Sequence, residues 1–286
     1  MKKRVLAALI ALSLLLCGCH NNLKPFSDSH IPQGNIGAVV EDYTLDNGFD
    51  ADTGTTYAVI RVLKHKNDGS DQYPFVYAPQ NGEAATASPL DVAKKEGFVL
   101  AINAGIFDLF SLKPDGIVIQ NGEVVCNTPS ATHPDCKPLT IDKNGNLSYA
   151  EPNADAEQLV KQGIVSAVCG FMPIIVNYQA VDAKEWNAVD HYTQPAQRQI
   201  IGQFANGDYA IITCEGRGFQ SSPGWTIADA QRICKEVGLK FAYNLDGGGS
   251  TATVLEQEQL NSIYEGETGR YVPTYIVFTG SDRFDG

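Results

Sequence analysis

No stretch of this sequence is apolar for long enough to cross a bilayer as a helix. The longest, Val5 to Leu16, covers about a dozen residues against the roughly 20 a span needs, and no second run of that length follows. Positive charge is also scarce, with 21 Lys and Arg against 33 Asp and Glu and a formal net charge of -12. Basic residues are scattered among acids, which argues against a binder of nucleic-acid backbones. Neither GxxxxGK[ST] nor a GxGxxG between strand and helix occurs, so the usual nucleotide loops are missing. No CxxC has a matching second half, which leaves a thiolate zinc or iron–sulfur site without support. The five histidines, His20, His30, His65, His133 and His191, fall in no motif of a nucleophilic triad. A local phosphate site is still open to the chain, because one or two well-placed arginines suffice for it.

What the chain does have begins at its N-terminus. Lys2, Lys3 and Arg4 precede the apolar run, which closes as LLCGC, the layout of an export signal. Gly18 immediately before Cys19, with Leu16 two positions earlier, resembles the lipobox of bacterial lipoproteins. That resemblance implies removal of residues 1–18, lipid on Cys19 and a place at the bacterial cell envelope, on the periplasmic or outer-membrane surface; an ordinary secretory signal cut nearby is the alternative. Membrane contact is then expected only through the lipid. Loss of residues 1–18 removes three cations and takes the formal charge to about -15. Residues 19–37 read as a tether and 38–286 as a single domain, since a body of about 250 residues suits one core.

Short apolar runs broken by Asn-Gly or Gly-Asn predict strands over 57–63, 74–77, 98–102, 116–119, 123–126, 139–142 and 147–150. GIVIQNGEVV, IDKNGNLSY and IGQFANGDYAIIT each read as a hairpin. Helices are predicted over 88–96, 154–162 and 226–237, the last opened by Thr226 with Asp229 three residues on and closed by Gly238. The fold class expected is α+β: a mixed, largely antiparallel sheet core with several helices packed on it. Cys126 and Cys136 flank a polar loop and form a candidate disulfide, with two free thiols the competing reading. Cys169 and Cys214 lie in apolar strand-like contexts where an inert buried thiol is the default.

Four segments could carry chemistry. In NLDGGGST, three glycines beside Asp246 permit positive φ and close approach of a ligand to main-chain N–H groups, so Gly247, Gly248, Gly249 and Ser250 could form an anion nest. In AINAGIFD, Asn103 could orient a ligand oxygen and Asp108 could act as a base or ligand, although each is often a turn residue. Arg198, and Glu215-Gly216-Arg217-Gly218 at the end of AIITC, supply guanidinium groups suited to a phosphodiester.

AINAGIFD, PDGIVIQNGEVV, RQIIGQFANGDYAIITCEGRG, GWTIADAQRICKEVG and NLDGGGST, in this order, resemble the motif series of the phosphodiester glycosidase family from about Val59 to Thr279. The resemblance implies a hydrolase that splits the C1–O bond of a sugar-1-phosphodiester, with a phosphodiester-linked glycan as substrate and no cofactor required. It carries Asn103, Gly105, Arg198, Gly216, Arg217, Asp246 and the residues 247–250 into the site. Asp246 and Glu215 are the expected carboxylates, Arg198 and Arg217 the expected phosphate holders, and a divalent cation on Asp246 and Asp108 stays possible if P–O cleavage is the chemistry instead. A non-catalytic glycan-binding protein is the third reading. The sequence departs from the family pattern at Ala104, Ile106, Gln197, Gln199 and Glu215.

Overall fold

The computed structural model describes residues 42–182, 185 and 189–279. The export signal, Cys19 and the tether lie outside them. Turn chemistry organises the first layer. Asn121 and Gly122 take φ of 50° and 77° and fold β5 (Val118–Gln120) back onto β6 (Glu123–Cys126). Gly145 does the same between β7 (Leu139–Asp142) and β8 (Leu147–Tyr149), and Gly207 between β12 (Gln199–Gln203) and β13 (Tyr209–Cys214). All three predicted hairpins are therefore present.

The strands build three sheets. The largest comprises β1 (Tyr43–Asp50), β2 (Thr55–Val62), β13, β12, β14 (Phe241–Asn244), β10 (Met172–Val176) and β11 (Gln179–Ala180), in that order. A second holds β16 (Glu258–Gln259), β15 (Thr253–Leu255), β4 (Leu100–Asn103), β17 (Tyr275–Phe278) and β3 (Phe75–Tyr77), so the last described strand lies inside its sheet between β4 and β3. The third runs β6, β5, β9 (Ile164–Val168), β7, β8. Every described ladder is antiparallel. One apolar core draws on all three sheets, with Ile60, Ile102, Val118, Leu139, Ile201 and Tyr243 buried in it.

Helix ends follow their side-chain caps. α1 (Pro89–Glu96) starts at a reciprocal Ser88–Asp91 box and stops at Gly97 in the left-handed region. α2 (Ala156–Lys161) is capped by Asp155, and α3 (Val189–Thr193) is a short helix that periodicity does not reveal. α4 (Ile227–Val237) has the predicted Thr226–Asp229 box and ends at Gly238. Its Ile227, Ala230, Ile233 and Cys234 bury against the large sheet beside Trp225 and Ile174. α4 connects β13 to β14 across the intervening antiparallel β12, a split crossover that puts the two connected strands parallel. The end of β14 consequently opens into a polar loop, as in an α/β layer.

The Cys126–Cys136 bridge is not formed: both are free thiols. The carboxylate of Asp115 accepts from Ser130 Oγ and the Ala131 and Thr132 amides, and this folds the intervening loop so that Cys136 turns inward. There it packs with Cys169, its Sγ 4.0 Å from the Tyr243 hydroxyl, while Cys126 contacts Thr128.

Candidate functional site

The loop leaving β14 is strung between two sheets. Leu245 N donates to Gln199 O (2.9 Å) and Gly248 N to Gln197 O (2.8 Å) on the large sheet. Asp246 N donates to Ala104 O (3.0 Å) at the end of β4 in the second. Asn103 braces both sides of the loop, its Nδ2 donating to Asp246 O (2.7 Å) and its Oδ1 accepting from Ala252 N (3.0 Å). Beneath, Thr213, Thr253 and Gln199 form a buried hydroxyl–amide network that ties the sheets together. Burial makes such bonds costly to lose, which fixes the loop.

The three glycines have three different reasons. A Cβ on Gly247 would stand 2.8 Å from Gln197 O. Gly248 takes φ of 56°, and its Cβ would stand 2.6 Å from an Arg217 nitrogen. On Gly249 it would meet Arg270 and the Tyr264 ring, both at 3.0 Å. Glycine thus brings two guanidinium groups against the main chain beside Asp246. The expected anion nest is not free, however: Gly247 N donates to Asp246 Oδ1 (2.9 Å) and Gly248 N to Gln197 O. The short 3₁₀ turn at Gly248–Ser250 also commits Ser250 N to Gly247 O (3.1 Å) and Thr251 N to Gly248 O (3.2 Å), so most of the loop's amides already have acceptors.

Asp246 is partly reachable by solvent but packed round by protein. Burial pushes its carboxyl up to about 6, against the opposing pull of Ser250, the Gly247 amide, Arg270 and Arg217. Ser250 Oγ accepts from Arg270 Nη1 at 3.3 Å, and the Nε and Nη2 of Arg270 both reach Glu265 Oε2 (2.9 and 2.8 Å). A chain of polar contacts therefore runs from an exposed carboxylate through Arg270 and Ser250 to Asp246. Arg270, in the unremarkable string ETGRYVPT, carries no sequence signal of its own.

Arg217 comes from a strained turn. Arg217, Gln220 and Ser221 all have positive φ (54°, 49° and 58°), sparsely populated values for residues with side chains. The turn aims the guanidinium over the Tyr264 ring, 4.8 Å from its centroid, with Phe219 edge-on to the same ring. Arg217 is exposed and has no carboxylate partner among the described residues. A cation stacked on an aromatic face, exposed and in no ion pair among the described residues, is suited to an anionic ligand.

Other predicted residues are brought near but differently employed. Arg198 is buried, with Nε donating to Trp225 O (2.8 Å) and Nη2 to His191 O and Gln194 O (2.9 and 2.8 Å). The fork predicted to clamp phosphate instead holds the segment 191–198 to the strand-like bridge at Trp225. Glu215 is fully buried; its Oε1 accepts from Ser262 N (2.8 Å) and Gln220 Nε2 (3.1 Å), and burial raises its carboxyl. It pins the start of the loop that carries Tyr264 and Arg270, a task Gln197 shares by donating to Ser262 O (3.0 Å). Glu215 Oε2, Gln197 Oε1, Asn244 Oδ1 and Thr251 Oγ1 are buried without partners, a concentration of unpaired acceptors of the kind functional sites retain. Gly216 is required by backbone contact, since a Cβ would lie 2.5 Å from Gln197 N. Gly105 packs against Val168 and Thr274, and Asp108 caps its own turn through the Phe110 and Ser111 amides. No group of three or more His, Cys, Asp or Glu side chains among the described residues is arranged to hold a metal ion.

Asp246, partly reachable by solvent and with its carboxyl raised to about 6, thus stands beside the guanidinium groups of Arg217 and Arg270 where two antiparallel sheets meet. The chain belongs to the phosphodiester glycosidase family, which matches residues 96–279. A prophage-derived uncharacterized protein of Bacillus subtilis, YomE, is 26% identical over 258 residues; the match covers 85% of this chain, and the chain spans 40% of that relative's length. Among solved structures, the zebrafish N-acetylglucosamine-1-phosphodiester alpha-N-acetylglucosaminidase catalytic domain, auto-inhibited by its pro-peptide, aligns with a TM-score of 0.62 at 16% identity, over 83% of this chain and 82% of that one. A hypothetical protein from Synechocystis aligns at 0.67 and 15% identity, over 84% and 62% of the two chains. At these identities the likeness is one of fold.

Proposed function

We propose that this chain is a phosphodiester glycosidase of the bacterial cell envelope, anchored by lipid on Cys19, that hydrolyses the C1–O bond of a sugar-1-phosphodiester. The observation that carries the reading is the unpaired Arg217 guanidinium, stacked on Tyr264 and pressed against the glycine loop beside Asp246. Phosphate is a good leaving group, and cationic donors aimed at its oxygens stabilise the charge that develops as C1–O breaks. The ionised Asp246 takes a proton from the attacking water or stabilises the positive charge growing at the anomeric carbon. Water oxygen ends on C1, and the phosphomonoester leaves with the bridging oxygen. Arg270 keeps Asp246 ionisable near neutrality, and Glu215 serves by holding the Arg270 loop, so the pair of reactive carboxylates anticipated from sequence reduces to one that faces substrate.

Hydrolysis in oxygen-18 water tests this. The label is expected on the released sugar; label on phosphate identifies a phosphodiesterase cutting P–O, and binding of sugar-1-phosphodiesters without turnover identifies a binding protein. Metabolic labelling with palmitate tests the anchor, with label expected on the wild type and absent from Cys19→Ala.

A further inference from the structure

The bridge anticipated between Cys126 and Cys136 is absent, but the fold gives Cys136 a different neighbour. β7 and β9 form an antiparallel ladder with Leu139 opposite Val168. Cys136 lies just before that pair on one segment, and Cys169 just after it on the other. Beyond the ladder Lys137 N donates to Phe171 O (3.1 Å), so the segments stay side by side as far as the cysteines. Neighbouring strands run about 5 Å apart, within the Cα separation a disulfide spans. The side chains face each other as well: both are buried against Ile106, and the Cys136 thiol is hydrogen-bonded to that of Cys169.

The surroundings suit the pair. Gly116 takes φ of 112°, and a Cβ on it would stand 2.7 Å from Cys169 Sγ, so glycine leaves that sulfur its room. Tyr243 Oη stands 4.0 Å from Cys136 Sγ, donates to Lys137 O (2.8 Å) and accepts from Gly170 N (3.2 Å), which holds the main chain beside each cysteine. The other described cysteines are placed differently. Cys126 is half-buried beside Thr128, Cys214 Sγ accepts from Arg198 N (3.2 Å), and Cys234 packs from α4 against the large sheet.

We propose that Cys136 and Cys169 are a disulfide site, joined as the chain folds outside the cytoplasm by exchange with the disulfide of a thiol oxidoreductase. One thiolate attacks an oxidant sulfur to give a mixed disulfide, and the second displaces that sulfur. The cysteines give up two protons and two electrons, and the oxidant leaves as a dithiol. Burial pushes the Cys136 thiol well above its ordinary range in the folded protein, where little thiolate is available, so the exchange belongs to the folding chain. The bridge closes a loop of about 34 residues. It ties the 127–137 loop to Cys169, whose carbonyl accepts from Ile106 N (2.8 Å), close to the Ala104 carbonyl that anchors Asp246 N. The presence of an oxidant rests on the cell-envelope location proposed above; the pairing itself does not.

Peptide mapping tests both. The full chain is recovered from the cell envelope, denatured with an alkylating agent and digested without reductant. One linked pair is expected, the peptides of Cys136 and Cys169, with Cys126, Cys214 and Cys234 alkylated. The same map is made on a copy whose residues 1–19 are replaced by a standard export signal and which is recovered from an oxidising periplasm. A bridge in that copy but not in the envelope sample supports the pairing and counts against the location instead. Five alkylated cysteines in both samples, or a Cys126–Cys136 link in either, overturn the proposal. Melting supplies the second measurement. A phosphine reductant is expected to lower the wild-type Tm by about 5 °C and to leave that of Cys136→Ala unmoved. A wild-type Tm that the reductant does not move, with both thiols then open to alkylation, overturns the bracing role of the bridge.

Discussion

Asp246 is held where burial disfavours its charged form. Its carboxyl is raised to about 6 from an ordinary 3.8, so the folded state favours the protonated form. Folding stability from this residue is accordingly greatest below about pH 4 and declines as pH climbs towards 6; at pH 7 ionisation costs about 3 kcal/mol. Asp246→Asn keeps an acceptor for the Gly247 amide and is expected to raise Tm above pH 6, to leave it unchanged below pH 4, and to lower kcat on the order of 10²-fold. Equal melting curves at pH 7 contradict the first expectation, and retained activity the last. Wild-type turnover is expected to fall as pH drops through 6. Arg217→Ala is expected to raise KM for a sugar-1-phosphodiester and to spare a neutral aryl glycoside, which has no phosphate to hold; equal losses on both substrates count against its role.

At the scale of elements, the segment 191–198 and the loop after β14 show how much of the site is scaffolding. Arg198→Ala strips donors from three main-chain carbonyls, and is expected to destabilise the fold by about 3 kcal/mol or more, with the deficit read from denaturant midpoints. A soluble variant of unchanged stability refutes this assignment. The hairpins and the caps of α4 were legible because Asn-Gly, Thr-x-x-Asp and a closing glycine act over a few residues. The glycine loop was legible too, since three glycines around one carboxylate are costly to chain entropy without a purpose. What could not be read was commitment. Asn103, Arg198 and Glu215 have the right chemical groups for substrate, yet each is engaged by main-chain partners, up to 149 residues away for Asn103. Arg270 and Tyr264 were invisible for the converse reason, because only tertiary contact with Gly249 gives them a place.

The described residues form three antiparallel sheets, with a main apolar core that draws on all of them and the candidate site where two of them meet. No helix among the described residues is long and apolar enough to cross a membrane. Removal of residues from Tyr275 onward strips β17 from between β4 and β3 and breaks the sheet on which Asn103 rides. Such a truncated chain is expected to be insoluble or to lack a cooperative unfolding transition by circular dichroism; a transition matching that of the full chain refutes this.

That interior position of β17 also sets a timetable. Synthesis runs from the N-terminus, so β3 and β4 must wait with open edges until the chain has grown to about residue 278 before the strand that joins them exists. Pairings between segments so distant in sequence are slow to form and expose sticky edges meanwhile. Arg270, a few residues before β17, is also among the last side chains of the candidate site to be made, so its contact with Ser250 waits for the same stretch of chain. The polar chain from Glu265 through Arg270 and Ser250 to Asp246 is therefore complete only when nearly all of the described chain has been made.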